Sequence, residues 1–207
     1  MKTFVYIDAF NLYFGSLKNT PYRWLDIAKF CQLLLPHNEI YKIKYFTALV
    51  KARPSDPHQA TRQQTYLRAL RTIPNMEIIL GHFLSHKVRM PAAQSIAIDP
   101  QYVEVIKTEE KGSDVNLATH LICDGYEQQF DVAVVFTNDS DLATPIRVVK
   151  ERLGKVVGII NPHKYPSQEL QKHASFLKTV RAGVLSASQF PAIMQDQYGE
   201  FHKPEGW

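Results

Sequence analysis

"VVFTNDSDLATPI", residues 134–146, carries an apolar run into a helix start and sets Asp139 and Asp141 two residues apart at the junction. Upstream, "DVAVVF" (131–136) has no polar alternation after its first residue. Such a strand belongs in a parallel sheet covered on both faces. Downstream, "SDLATPIRVVKERLG" (140–154) reads as a helix closed by Gly154, and "KVVGII" (155–160) as the next strand. Strand, helix and strand at this spacing form a βαβ unit, whose two strands run parallel.

The same pattern recurs along the chain. "TFVYI" (3–7), "IYKIKYFTALV" (40–50) and "MEIILG" (76–81) are strand candidates, and "AFNLYFGSL" (9–17) and "GSDVNLATHLICDGY" (112–126) are helical. "LDIAKFCQLLL" (25–35) is a helix with an apolar stripe of Leu25, Ala28, Leu33 and Leu35, ended by Pro36. In "PSDPHQATRQQTYLRAL" (54–70), Asp56 precedes Pro57 at the first helical position. "HFLSHKVRM" and "YVEVIK" flank a Pro- and Ala-rich connection, which suggests a hairpin elaboration over 82–110 appended to the sheet edge. The expected architecture is α/β, one domain over 1–187 with a mostly parallel central sheet. A tail over 188–207, with Pro191, Pro204 and Gly206, is expected to be irregular and laid on the surface.

Composition narrows the class. The 207 residues, 45% hydrophobic, suit a single compact core. Cys31 and Cys123 have no metal or disulfide spacing, which points to a reducing cytoplasm. Asp8 interrupts the first apolar run well short of a signal-peptide core, and no stretch approaches the roughly 20 apolar residues of a membrane span. A net charge of +4 mildly favours a polyanionic partner.

An open parallel sheet binds ligands beyond the carboxyl ends of its strands. Asp8 follows "FVYI", and Asp139 and Asp141 follow "VAVVF". Asp114 starts a helix that leads into a parallel strand, so it reaches the same edge, and it shares a face with Leu117, Ala118 and Leu121. Taken singly, each acid reads as a helix cap or a favourable charge at a helix N-terminus. Taken together they need a counter-charge: two carboxylates about 4 Å apart repel by roughly 4 kcal/mol at an effective dielectric near 20. All-oxygen ligands select Mg²⁺ or Mn²⁺ over zinc. Asn11, Asn138 and Ser140 add polar atoms for a phosphate or a metal-bound water. Lys51, Arg53, Arg62, Lys87, Arg89, Lys107 and Lys111 supply basic surroundings, and Tyr13, Phe14 and Tyr66 offer stacking faces. Each of these also reads as an ordinary surface or core residue.

"YIDAFNLY", "KGSDVNLATHL" and "FTNDSDL", in this order, resemble the motifs of the NYN domain family, a branch of the PIN-like nucleases. The resemblance spans roughly residues 1–182, and "NPHKYPSQEL" and "SQFP" are similar to segments of one bacterial subgroup. It implies a three-layer α/β/α sandwich and an acidic cluster binding Mg²⁺ or Mn²⁺ for RNA cleavage, leaving 5′-phosphate and 3′-hydroxyl ends. Residue by residue it implicates Asp8, Asn11, Asp114, Asp139 and Asp141. Where many relatives carry a further aspartate, this chain has His120, about 240° around the helix from Asp114.

The expected function is therefore a metal-dependent ribonuclease. Asp8, Asp114, Asp139 and Asp141 would be metal-binding and catalytic, with Asn11, Asn138, Ser140, Arg62 and Lys111 at the substrate. The alternative is a catalytically inactive RNA-binding or adaptor module of the same fold, and a homodimer is left open. A phosphatase of the haloacid dehalogenase type would need a second aspartate where Phe10 stands.

Overall fold

The computed structural model describes residues 1–93 and 102–207; most of the Pro- and Ala-rich connection expected between the hairpin strands lies outside them. The elements are β1 (Lys2–Asp8), α1 (Ala9–Leu12) with a π-helical turn (Tyr13–Leu17), α2 (Ile27–Leu34), β2 (Glu39–Ala48), α3 (Gln59–Leu70), β3 (Met76–Pro91), β4 (Tyr102–Lys111) and α4 (Ser113–Tyr126). Then come β5 (Val132–Phe136), a 3₁₀ turn (Ser140–Leu142) leading into α5 (Ala143–Arg147), a second π-helical turn (Val148–Arg152), β6 (Val156–Asn161), α6 (Gln168–His173), β7 (Phe176–Thr179), α7 (Ala182–Ala187), β8 (Ile193–Asp196) and β9 (Gly199–His202).

Strands β4-β3-β2-β1-β5-β6-β7 form one sheet, parallel throughout except for the antiparallel β3/β4 pair. The chain winds outward from β1 through β2 to β3, then returns to β5 on the other side of β1 and winds the opposite way. Alternation along the central strands feeds two separate cores. Val5, Ile7, Tyr45, Val134 and Phe136 pack with Leu12, Phe30, Leu67 and Leu185 of α1, α2, α3 and α7. Phe4, Tyr6, Phe46, Val135 and Ile159 pack with Leu117, Leu121, Ile146 and Leu170 of α4, α5 and α6. The molecule is thus the three-layer α/β/α sandwich, and β5 is buried at all five positions because helices cover both sides of it.

Three local expectations are corrected. The buried stripe of α2 is Ile27, Phe30, Cys31 and Leu34, at offsets of three, four and seven, while Leu33 is exposed. Helix α3 begins at Gln59, because Arg53 and Asp56 exchange backbone hydrogen bonds in a tight turn ahead of it. The expected hairpin is present at the sheet edge, and it grows out of the sheet itself: β3 is a single 16-residue strand that pairs with β2 up to Gly81 and with β4 from His82 onward. The tail is not irregular, since β8 and β9 form an antiparallel hairpin that buries Phe201. The helix after β5 ends as read, with Gly154 at a φ of +66°. At Gly158 of β6 a Cβ would lie 2.0 Å from the Phe176 ring on β7, so only glycine fits there.

Candidate active site

The chain reverses its winding direction between β1 and β5, which is where an α/β sheet opens a crevice. Asp8, the last residue of β1, is 4% exposed and caps α1, its Oδ1 accepting the Asn11 N–H at 2.9 Å. Its Oδ2 accepts from the Thr137 hydroxyl at 3.3 Å, and the same hydroxyl oxygen accepts the Asp139 N–H at 3.1 Å. Thr137 therefore ties the end of β1 to the turn that follows β5. Asp139 caps the 3₁₀ turn by accepting the Asp141 N–H at 3.0 Å. Asp114 arrives in the first turn of α4, which starts after Gly112 at a φ of +99°. Glu110 fixes that start through the Ser113 N–H (3.1 Å) and hydroxyl (2.7 Å).

Burial, first of all, pushes the Asp8 carboxyl up to about 7; the Asn11 N–H and Thr137 hydroxyl oppose this, and the charges of Asp114 and Asp139 add to it. Asp114 is likewise raised, by burial and then by Asp139, Glu110 and Asp141. The acids thus act on one another, and none of the four has a cationic partner in an ion pair among the described residues. The consequence for stability has a definite sign. Between its ordinary value of 3.8 and about 7, folded Asp8 keeps a proton that the unfolded chain has released, so stability falls as pH rises through this window. Thermal melts of the metal-free protein from pH 4 to 8 are expected to show this decline; Asp8→Asn, uncharged throughout, flattens it and melts higher than wild type at pH 8.

A cleft of about 660 Å³ opens here, lined by Asp8, Asn11, Asp114, Asp139 and Arg62 of the expected residues. Asp141, Asn138, Ser140 and Lys111 do not line it. Asp141 is exposed just outside, where its charge still reaches Asp114. Asn138 braces the loop after β6, donating to the Tyr165 carbonyl at 3.0 Å and accepting the Ser167 N–H at 2.6 Å. Asn11 is also a brace, its Oδ1 accepting the Asn138 N–H at 3.0 Å. Lys111 pairs with Glu109 at 3.6 Å, Lys107 with Glu109 at 2.8 Å and Lys87 with Glu104 at 2.9 Å, so these charges are compensated locally. Tyr66 is a core residue, its hydroxyl donating to the Leu25 carbonyl. Lys18, Arg23 and Arg53 line the cleft with Arg62, and Phe10, Tyr13, Phe14, Phe83 and Trp207 supply its aromatic walls.

Sequence reasoning overlooked Glu110, His163 and Trp207, all on the cleft wall. His163 carried a signal, since it follows an apolar strand at the sheet edge where ligands bind. His120 does not line the cleft: its Nδ1 lies 3.0 Å from Lys44 Nζ and its ring packs on Phe46. Among the described residues no group of three His, Cys, Asp or Glu is closed into a ready metal cage. By its chemistry the donor set nonetheless suits a hard dication: carboxylate oxygens from three elements share one cleft, with burial and then the neighbouring acids raising the proton affinity of Asp8 and Asp114.

A mostly parallel α/β/α sandwich with acids at its switch point is consistent with the PIN-like class of nuclease folds. The NYN domain profile matches residues 2–179, and the chain belongs to this family. Over its whole length it is 31% identical to 75% of 6-hydroxy-3-succinoylpyridine 3-monooxygenase HspA of Pseudomonas putida. A protein of unknown function from Vibrio parahaemolyticus, known from a crystal structure, shares the fold with a TM-score of 0.56 at 18% identity, over 87% of this chain and 93% of that one. Among the described residues no helix is long and apolar enough to cross a membrane.

Proposed function

We propose that the protein is a ribonuclease that hydrolyses RNA phosphodiester bonds with Mg²⁺ or Mn²⁺ held by Asp8, Asp114 and Asp139, with Asp141 strengthening the local field. The observation that carries this reading is the meeting of three carboxylates from three separate elements on one cleft, two of which, Asp8 and Asp114, are raised in proton affinity by burial and then by their acidic neighbours. A divalent ion in such a site makes water acidic enough to attack near neutral pH and offsets charge on the phosphoryl group. The protein's own part is positional. Thr137 and Asn11 fix Asp8, the 3₁₀ turn fixes Asp139, and Glu110 fixes the helix end that presents Asp114. Arg53, Lys18 and Arg23 would neutralise the flanking phosphates, with Arg62 held on the same wall by its 2.5 Å ion pair with Asp56, and Phe10, Phe14 and Phe83 offer faces to the bases. Purified protein incubated with single-stranded and structured RNA should cleave with Mn²⁺ and not with EDTA; no metal-dependent cleavage of either would refute the reading. RNA binding that persists in EDTA without cleavage would instead support a non-catalytic binding module.

A second reading is favoured by the 31% match reaching past residue 179 into the tail that supplies Trp207. In it the same aromatic and guanidinium-lined cleft holds a small heteroaromatic carboxylate, as the relative's name implies for that protein. A thermal shift with 6-hydroxy-3-succinoylpyridine but none with RNA would favour it.

A further inference from the structure

The loop after β6 brings His163 to the cleft under unusual restraint. Its backbone N–H donates to Asn161 Oδ1 (2.9 Å), its carbonyl accepts from Asn161 Nδ2 (2.8 Å), and Asn161 itself is 1% exposed. The preceding carbonyl, of Pro162, accepts from the Ser16 hydroxyl at 2.5 Å, which docks the loop on the π-helical turn after α1. Helical turns of this kind recur at functional sites. The ring then passes so close to Gly15 that a Cβ there would lie 2.7 Å from His163 Cδ2, 2.9 Å from its Nε2 and 2.9 Å from the Pro162 carbonyl.

The hydrogen bonds also decide the chemistry of the ring. His163 Nε2 lies 3.0 Å from Asn11 Oδ1, which already accepts the backbone N–H of Asn138. An amide oxygen only accepts, so Nε2 carries a hydrogen. Nδ1 is the other ring nitrogen, and it has no hydrogen-bond partner among the described residues. The titratable groups that line the cleft together with His163 include Asp8, Asp114, Asp139, Glu110, Tyr13 and Lys18, and Lys164 follows it in its own loop.

We propose, building on the ribonuclease reading, that His163 donates the proton to the leaving 3′-oxygen of the scissile linkage. The attacking water oxygen bonds to phosphorus, the P–O3′ bond breaks with its electron pair passing to O3′, and O3′ takes the proton from Nδ1. Water loses its own proton to solvent, and Nδ1 is re-protonated from solvent in the next cycle. Asn11 acts by holding the ring, so it is a positioning residue.

The test compares two RNA substrates, one natural and one with a 3′-bridging sulfur at the scissile position, since a thiolate departs without needing a proton. With a fixed Mg²⁺ concentration, His163→Gln, which can still donate to Asn11, is expected to cleave the natural linkage about 10²-fold slower than wild type. It should cleave the thio linkage at close to the wild-type rate. His163→Ala should show the same split and recover on the natural linkage with added imidazole. An equal loss on both linkages would make His163 merely structural, and no loss on either would remove it from the reaction. In both cases the ribonuclease itself stands. If the wild type cleaves neither RNA, the underlying reading fails and this one falls with it.

Discussion

Asp139→Asn and Asp8→Asn are each expected to reduce metal-dependent RNA cleavage by about 10³-fold, the loss of several kcal/mol of charge stabilisation in the transition state. The substitutions are unusually clean. Asp139 caps the 3₁₀ turn and Asp8 caps α1 through side-chain oxygens that asparagine also possesses, and asparagine is as good a cap as aspartate. Folding should therefore survive both changes. For Asp8 the prediction is sharper, because removing a buried carboxyl whose proton affinity is raised to about 7 relieves a cost that the metal-free protein carries at neutral pH. Asp8→Asn should thus melt higher than wild type without metal and yet be inactive, and added Mn²⁺ should raise the melting temperature of wild type only. Circular dichroism melts run beside the cleavage assay check this. A variant that is both less stable and inactive at pH 8 would assign Asp8 to structure alone.

The second large effect lies beneath α4, away from the cleft. Lys44 on β2 and Asp124 on α4 form an ion pair at 2.7 Å, and both side chains are almost wholly buried. The same Asp124 oxygen accepts from the Tyr6 hydroxyl at 2.7 Å, and that contact with burial holds the phenol well above its usual range. Breaking one partner of a buried pair leaves the other charge without compensation, at about 3–5 kcal/mol. Asp124→Ala should lose that much in chemical denaturation. The double variant Lys44→Met with Asp124→Leu, which removes both charges, should recover most of it. If the single variant costs no more than a surface change, solvent must already reach the lysine.

Much of this arrangement was legible in the sequence because its signals are local. "DVAVVF" reads as a doubly covered strand, and the end of the apolar run "TFVYI" places Asp8 at the strand's carboxyl end. The stripe of Leu117 and Leu121 in α4 likewise fixes which side Asp114 must take. Other features leave no local mark. A strand such as β3, which exchanges one neighbour for another at Gly81, keeps the same extended residues on both sides of the exchange. In α2, Leu25 and Leu35 are buried just outside the helix, and this drew the stripe out of phase. Strands β8 and β9 have four residues each, too few for alternation to stand out. The contact of His163 with Asn11 joins residues 152 positions apart, and no spacing in the chain announces it. Likewise, Asn138 and Asn11 have the composition of phosphate binders, but their side chains are occupied in holding loops together.

The continuity of β3 has a structural consequence. The ten residue pairs of the β3/β4 ladder extend as a two-stranded ribbon from the Gly81–His82 junction. Just beyond that point Phe83 meets Phe10 edge to face at 5.8 Å on the cleft wall. The base of the ribbon and α1 therefore build one wall of the cleft together. Gly81 has no room for a side chain, since a Cβ would lie 2.7 Å from the Lys111 carbonyl and 3.0 Å from the Ser113 nitrogen, so the base of the ribbon is seated directly on the start of the helix that carries Asp114.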